Sequence, residues 1–407
     1  MPKSLDFSQK SAQPSIWQRL DWRQALAIDL GSNEIRIFRA NLRKKDQMEI
    51  LSIDQACVAI KRANRFGEAK ILAIGRDALE MRERLGDEVE VIFPIVAGRI
   101  IDEKLAKVLL KELLKRALKV DRILPIVISP VVVVTVKAGT SDFSQRSLSR
   151  LFYDLGVSEV HLLSEPLAAA IGVGLPIADA TGVLLMQMGA VGVEAAALSL
   201  GSIVSVQSNL WTGTMAGGEL DELIRAYLVK KHHLLITLEA SEQIKKKINI
   251  DFDQDQYLEQ EQEQETSKQK ENTEKNTEKN TKEKNAEKEN ISFVLKIVGK
   301  DLLSQKAKTL SITNQELLTA IKPAIKDYLV LVERLLEEMP NALLDDVLDR
   351  GLLLSGNLAK LRGLDRFLAK SLKMPVALVE DPDLAAATGA LTVLENLEMF
   401  KASLAYA

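Results

Sequence analysis

Cysteine is almost missing from this sequence: Cys57 is the only one in 407 residues. No disulfide framework is open to the chain, and a four-thiolate zinc site is excluded. Histidine is nearly as scarce. His161, His232 and His233 are too scattered for a metal cluster, and adjacent histidines on a helix diverge, so the pair is expected at the surface. No apolar run reaches the roughly 18 residues that a membrane-spanning helix needs. The opening stretch MPKSLDFSQKSAQPSIWQRLDW lacks an apolar core followed by a small-residue cleavage site, so secretion is not expected and a reducing cytoplasm is. Neither sign of charge dominates: the formal net charge is −3. Residues 251–290 alone hold 13 acidic and 7 basic side chains, which leaves the remainder near neutral to slightly basic. That balance is too weak to make nucleic acid the main partner.

What is present is a hydrophobic content of 46%, in a chain long enough for two or three domains with their own cores. Residues 25–40 read as a buried strand, a glycine turn and a second strand, and further strands are predicted over 48–53, 56–60 and 70–74. Residues 102–118 place apolar side chains at helical spacing, with acids in the first turn and bases near the end. A strand over 123–136 precedes a capped helix ending at Gly156. A short strand at 160–163 then leads into the alanine-rich helix opened by Glu165-Pro166. Residues 183–200 repeat the order of strand, glycine turn and strand. Helices are predicted from Gly218 to Lys231 and over 241–248. The tract 251–290 is of low complexity, with too few apolar residues to offset its ordering entropy, and disorder is expected. A hairpin over 291–312 follows, then helices at 314–338 and 341–349, a strand at 351–354 and the turn SGNLAKLRG. A helix at 363–372, a strand at 376–378 and a last helix after Asp381-Pro382 complete the chain.

The informative feature is an internal echo. Asp29-Leu30-Gly31-Ser32 in the first half corresponds to Gln187-Met188-Gly189-Ala190 in the second. A tight turn with a small residue lets backbone N–H groups approach a phosphate. Asp29, at the end of its strand, has the chemistry to orient hydrated magnesium. Either turn alone reads as an ordinary hairpin. Two in this order, with a third at Ser355-Gly356, point to a nucleotide fold with the turns facing each other across a groove.

Over roughly residues 25–395 the chain resembles MreB, the rod shape-determining family of bacterial actin homologues. The segments that carry the likeness include AIDLGSNEIRIF, LLSEPLAAAIGVGLPIADATG, AGGELDELI, SEQIKKKI, LLLSGNLAKLRGLDRFL and VEDPDLAAATGAL. The resemblance implies an α/β, actin-like ATPase fold: duplicated core domains with two smaller inserted subdomains. The expected organisation is a leader at 1–23 and a first half at 24–180, with its small insert about 41–80. A second half at 181–400 follows, with its small subdomain about 249–313, and the disordered charged insertion at 251–290 lies within it. ATP with Mg2+ is the implied cofactor. The implied binding residues are Asp29, Gly31, Ser32, Asn33 and Glu34 in the first phosphate turn, and Gly189, Ala190 and Val191 in the second. Glu242, Gln243, Ile244 and Lys245 would contact adenosine, joined by Ser355, Gly356, Asn357, Leu358 and Ala359; Asp29 would reach the metal through water.

This chain departs from the family pattern in ways that bear on catalysis. Gln187 stands where the family has an aspartate and carries no charge for a magnesium–water shell. Val191 puts a side chain where the family has glycine. Ser144 is taken as the counterpart of the water-activating glutamate, which serine cannot replace as a base; Asp142 lies two positions away. The implied function is therefore a membrane-associated cytoplasmic filament that helps determine cell shape and organise cell-wall synthesis, with weakened ATP binding and hydrolysis. A pseudo-ATPase adaptor that copolymerises with a complete MreB filament is the alternative, and an ATPase using Asp142 is a third reading. Expected partners are further copies of the chain or a complete MreB-type filament, the inner face of the cytoplasmic membrane and the cell-wall synthesis machinery. Ile16, Trp17 and Leu20, with Arg19 and Arg23 beside them, make the leader the candidate for lipid contact.

Overall fold

The computed structural model describes residues 25–40, 48–62, 69–85, 88–118, 130–209, 216–250, 294–400 and 405–406. The leader 1–23, the charged tract 251–290 and the 123–129 part of the strand expected over 123–136 lie outside the described residues. The first half runs β1 (Ala25–Leu30), β2 (Glu34–Ala40), β3 (Met48–Gln55), β4 (Val58–Arg62), β5 (Ala69–Ile74), α1 (Arg76–Leu85), β6 (Glu90–Ile92), β7 (Ile95–Val96), β8 (Arg99–Ile100), α2 (Glu103–Leu118), β9 (Val131–Val136), α3 (Asp142–Asp154), β10 (Glu159–Ser164) and α4 (Glu165–Gly172). The second half begins with β11 (Val183–Met188), β12 (Val193–Ser199), β13 (Ser202–Ser208), α5 (Gly217–His232), β14 (Leu234–Leu235), α6 (Leu238–Lys245), β15 (Val294–Asp301) and β16 (Ala307–Thr313). It continues with α7 (Asn314–Glu338), α8 (Asn341–Arg350), β17 (Leu352–Ser355), α9 (Leu364–Leu372), β18 (Val376–Leu378), α10 (Ala385–Glu395), α11 (Leu397–Phe400) and β19 (Ala405–Tyr406).

Two sheets carry the architecture. The first has the order β19-β10-β9-β1-β2-β3, and the second, read from its far edge, has β18-β17-β11-β12-β13. Leaving out the edge strand β19, the orders correspond strand for strand. In each sheet the opening pair is an antiparallel hairpin around a glycine turn, β1 with β2 and β11 with β12. In each, the first strand of that hairpin also pairs in parallel with a later one, β9 or β17. The echo in the sequence is thus a duplicated fold, of the mixed α/β, actin-like kind.

The local chemistry explains these choices. The run Val131–Val136 (VVVVTV) is β-branched throughout and almost wholly buried, as a central parallel strand covered on both faces requires. β11 (VLLMQM) is buried at every position for the same reason. Helix α2 keeps Leu105, Leu109, Leu110 and Leu113 on the face it packs on the first sheet, with its lysines outside. Helix α6 starts three residues before the expected position because Thr237 caps it, its side chain accepting from the Ala240 N–H.

Helices α4 and α10, which follow equivalent strands of the two sheets, lie against one another. Their alanines share one buried cluster with Ala27 and Val133 of the first sheet and Leu185 and Ala196 of the second. The contact is backbone to backbone: a Cβ at Gly389 would fall 1.7 Å from the Ala168 carbonyl oxygen, and one at Gly172 would fall 2.0 Å from that of Ala385. Two three-stranded sheets, β5-β4-β6 and β14-β15-β16, and the two-stranded β7-β8 complete the sheets among the described residues.

Candidate functional site

The carboxyl ends of β1, β9 and β10 point the same way, as do those of β11, β17 and β18. In open α/β sheets a ligand crevice forms at such ends, and here the three turns of the sequence reading converge there. The first turn leaves β1 after Asp29. Its buried carboxylate accepts from the Thr135 hydroxyl at 2.8 Å and pairs with the Arg36 guanidinium at 3.2 Å. Thr135 Oγ1 in turn accepts from the Leu30 N–H at 3.2 Å, locking the strand end to β9. The turn leaves no room for a side chain at Gly31, where a Cβ would sit 2.5 Å from the Glu34 carbonyl oxygen. Ser32 Oγ accepts from the Ala97 N–H at 2.7 Å, tying the turn to the β7–β8 hairpin, and Glu34 is held by Arg36 at 2.6 Å.

The second turn closes with the Gly189 N–H donating to the Gly192 carbonyl at 2.9 Å. It is stitched to the start of α5 by Gly217 N–H to Gly189 O at 3.1 Å and Gly218 N–H to Ala190 O at 2.9 Å. Lys245 of α6 braces that junction, donating at 2.6 Å both to the Gly217 carbonyl and to Asp221. Burial pushes the Asp221 carboxyl above the usual carboxylate range despite Lys245. The third turn is fixed by the Gly356 N–H and the Ser355 hydroxyl, which both donate to the Pro382 carbonyl, at 2.7 and 3.2 Å. Arg36 reaches across from the first half to the Asp383 carbonyl at 2.8 Å, so one side chain serves both halves.

Between the turns lies a cleft of about 730 Å³. Ser32 and Asn33 line it from the first turn, Gly189, Ala190 and Val191 from the second, Asn357 and Leu358 from the third, and Glu242 and Lys245 from α6. The other expected residues, Asp29, Gly31, Glu34, Gln243, Ile244, Ser355, Gly356 and Ala359, stand outside this lining, in the turns and helix that carry it. Ser144 and Asp142 do not line it either. They occupy the first turn of α3, where Ser141 caps the helix and accepts from the Ser144 N–H at 3.3 Å. Phe93, Asp221, Lys246 and Lys360 line the cleft without having been singled out in the sequence.

The sequence reading also missed what lies behind the turns. Lys137 is the first residue after β9 and Glu165 the first after β10. Both are buried, and the ammonium of Lys137 is ion-paired with Glu165. Glu194 of β12 is fully buried beside them, accepting from the Gly139 N–H at 3.1 Å. Burial disfavours the Lys137 ammonium, but Glu165, Glu194 and Asp29 outweigh it and hold its pKa above the ordinary lysine value. Burial pushes the Glu194 carboxyl up to about 7, against the pull of Lys137. The available signal was positional: Lys137 and Glu165 each follow directly on a run of buried strand residues, and Glu194 is a charge inside one.

The residues present can be tested against the groups the fold implies. A polyphosphate fits, since the cleft is lined by Gly189, Gly217 and Gly218, with little side-chain bulk, and by the cations Lys245, Lys246 and Lys360. Magnesium does not. Gln187 is neutral, and an ammonium already lies against Glu165 among the acids that would surround the ion.

The sequence comparisons agree with this architecture. A family model described as MreB/Mbl protein matches residues 23–265 and 256–402. The chain is 27% identical over 374 residues to the cell shape-determining protein MreB of Escherichia coli (strain K12), covering 92% of this chain and 94% of that one. It is 26% identical over 373 residues to the cell shape-determining protein Mbl of Bacillus subtilis (strain 168), covering 92% and 96%. Among solved structures, MreB 5 of Spiroplasma citri bound to AMPPNP superposes with a TM-score of 0.73 at 20% identity, covering 94% of this chain and 99% of that one. A MamK double helical filament gives 0.64 at 16% identity, covering 92% and 99%. With a family match running nearly end to end and the duplicated, cleft-forming sheets behind it, this chain belongs to the MreB/Mbl family.

Proposed function

We propose that the chain is an actin-like cytoskeletal protein that assembles into filaments at the inner face of the cytoplasmic membrane and helps determine cell shape by organising cell-wall synthesis. The observation that carries this reading is the convergence of the three turns on one cleft of about 730 Å³, a volume within the range of small-molecule sites. Relatives that share the fold are named for cell-shape determination, for bound AMPPNP or ADP and for a double helical filament. In this chain the first and second turns would hold the phosphates, while Glu242 and Lys245 would face the nucleoside. Hydrolysis is weak, because neutral Gln187 stands on β11 just before the second turn and no carboxylate of α3 lines the cleft. Among the described residues no helix is long and apolar enough to cross a membrane; membrane contact falls to the leader, around Trp17.

Electron microscopy of the purified protein with ATP tests assembly: double protofilaments are expected, and their absence at every nucleotide condition refutes self-assembly. Pelleting with liposomes tests the leader, with Trp17→Glu expected to stay in the supernatant. A second reading, an adaptor that copolymerises with a complete MreB filament, is favoured by the same Gln187 and by the Lys137–Glu165 pair, which leave little for a metal-dependent nucleotide switch to act on. Pelleting only in the presence of such a filament protein is its signature.

A further inference from the structure

We propose that Lys137 is a built-in replacement for the divalent cation of this fold, so that the carboxylates between the two glycine turns take up no metal ion. The ammonium is ion-paired with Glu165 and buried, and it sits directly behind the second turn: a Cβ on Gly189 would lie 3.2 Å from Lys137 Nζ. It therefore stands between the turns and the acids Asp29, Glu165 and Glu194, where a metal's charge would be needed. Lys137 donates to Glu165, and Glu165, Glu194 and Asp29 together favour its charged form, so one ammonium already stands among these acids. A magnesium ion would bring two charges to a place where the ammonium already supplies one, and Lys137 Nζ holds the position against Glu165 that the ion would need. Gln187 fits the same logic, since an aspartate there would restore the negative charge that a metal requires and an ammonium does not.

This inference rests on the cleft and not on filament assembly, so it is read by metal binding alone. Metal-stripped wild-type protein is titrated with Mn2+, followed by electron paramagnetic resonance and by melting temperature. No saturable binding in the cleft and an unchanged melting temperature are expected. The double variant Lys137→Ala/Gln187→Asp removes the ammonium and restores the acid. It is expected to bind Mn2+ saturably and to melt about 3 °C higher at hundredfold metal excess over its dissociation constant. If it does not fold, Lys137→Met/Gln187→Glu, which makes the same change of charge with side chains of nearly the original size, is measured in its place, with saturable binding of Mn2+ again expected. Wild-type binding of Mn2+ that Asp29→Asn abolishes overturns the proposal. So does a folded variant as indifferent to Mn2+ as the wild type.

Discussion

At the first glycine turn the strand ends in Asp29, and the residue opposite it on β2 is Arg36; at the second turn Gln187 faces Glu194 of β12. The two hairpins share a topology, yet one cross-strand pair is acid with base and the other amide with acid. In the first, the charge of Asp29 is met within its own hairpin by Arg36 and from β9 by Thr135. In the second, Glu194 has no cation in its own half and depends on Lys137, which the first half supplies. One half is electrostatically self-sufficient; the other is completed only when the two pack together. Duplicated folds can thus keep a backbone plan while moving a charge from one strand to its neighbour.

The sharpest way to break this comparison is Lys137→Met, which leaves Glu165 and Glu194 buried without their cation. A loss of about 3–5 kcal/mol is expected by urea unfolding, well above that for Arg36→Met, whose partners are nearer solvent. The next effect is a pH dependence. The Glu194 carboxyl stands at about 7 in the folded chain against an ordinary 4.5, so the folded state binds that proton more tightly. Its contribution is complete below about 4.5 and is lost as pH rises towards 7, by about 3 kcal/mol in all. Unfolding midpoints across that window should fall more steeply for wild type than for Glu194→Gln.

Smaller effects separate the turns themselves. Gly31→Ala places a methyl 2.5 Å from a backbone carbonyl, whereas Gly189→Ala meets its nearest atoms at 3.1 and 3.2 Å. Losses of about 2 kcal/mol and about 1 kcal/mol or less are expected in thermal unfolding, the first turn being the less tolerant. Smallest of all is Lys360→Ala. Its ion pair with Asp383, 2.7 Å long, is at the rim and half-exposed, and a change below about 0.5 kcal/mol is expected in the same assay.

Helix α1, RDALEMRERL, escaped the sequence reading because it is strongly charged and buries little beyond Ala78. The short strands β6, β7, β8 and β14 escaped because pairs and triplets of residues carry no period. The segments with a period or a glycine turn, such as β1–β2, β11–β12, α2 and the 25-residue α7, were legible throughout. Of the turn residues named from the sequence, Ser32, Asn33, Gly189, Ala190, Val191, Asn357 and Leu358 line the cleft, the glycines having marked where the bends fall. Lys137 and its pairing with Glu165 were not legible, because a charge after an apolar strand looks like any strand end reaching solvent, and Glu165 read only as the opening of its helix.

By itself the sequence determined the periodic strands and helices, the duplication and the places of the tight glycine turns. Those features are local, set by side-chain period and by what glycine alone permits. Only the tertiary structure decided that a lysine from one strand would meet glutamates from two others, out of water. That meeting depends on parallel strands from distant segments ending side by side, and on a second sheet closing over them, so that charges far apart along the chain neutralise each other in a space no ion has to fill.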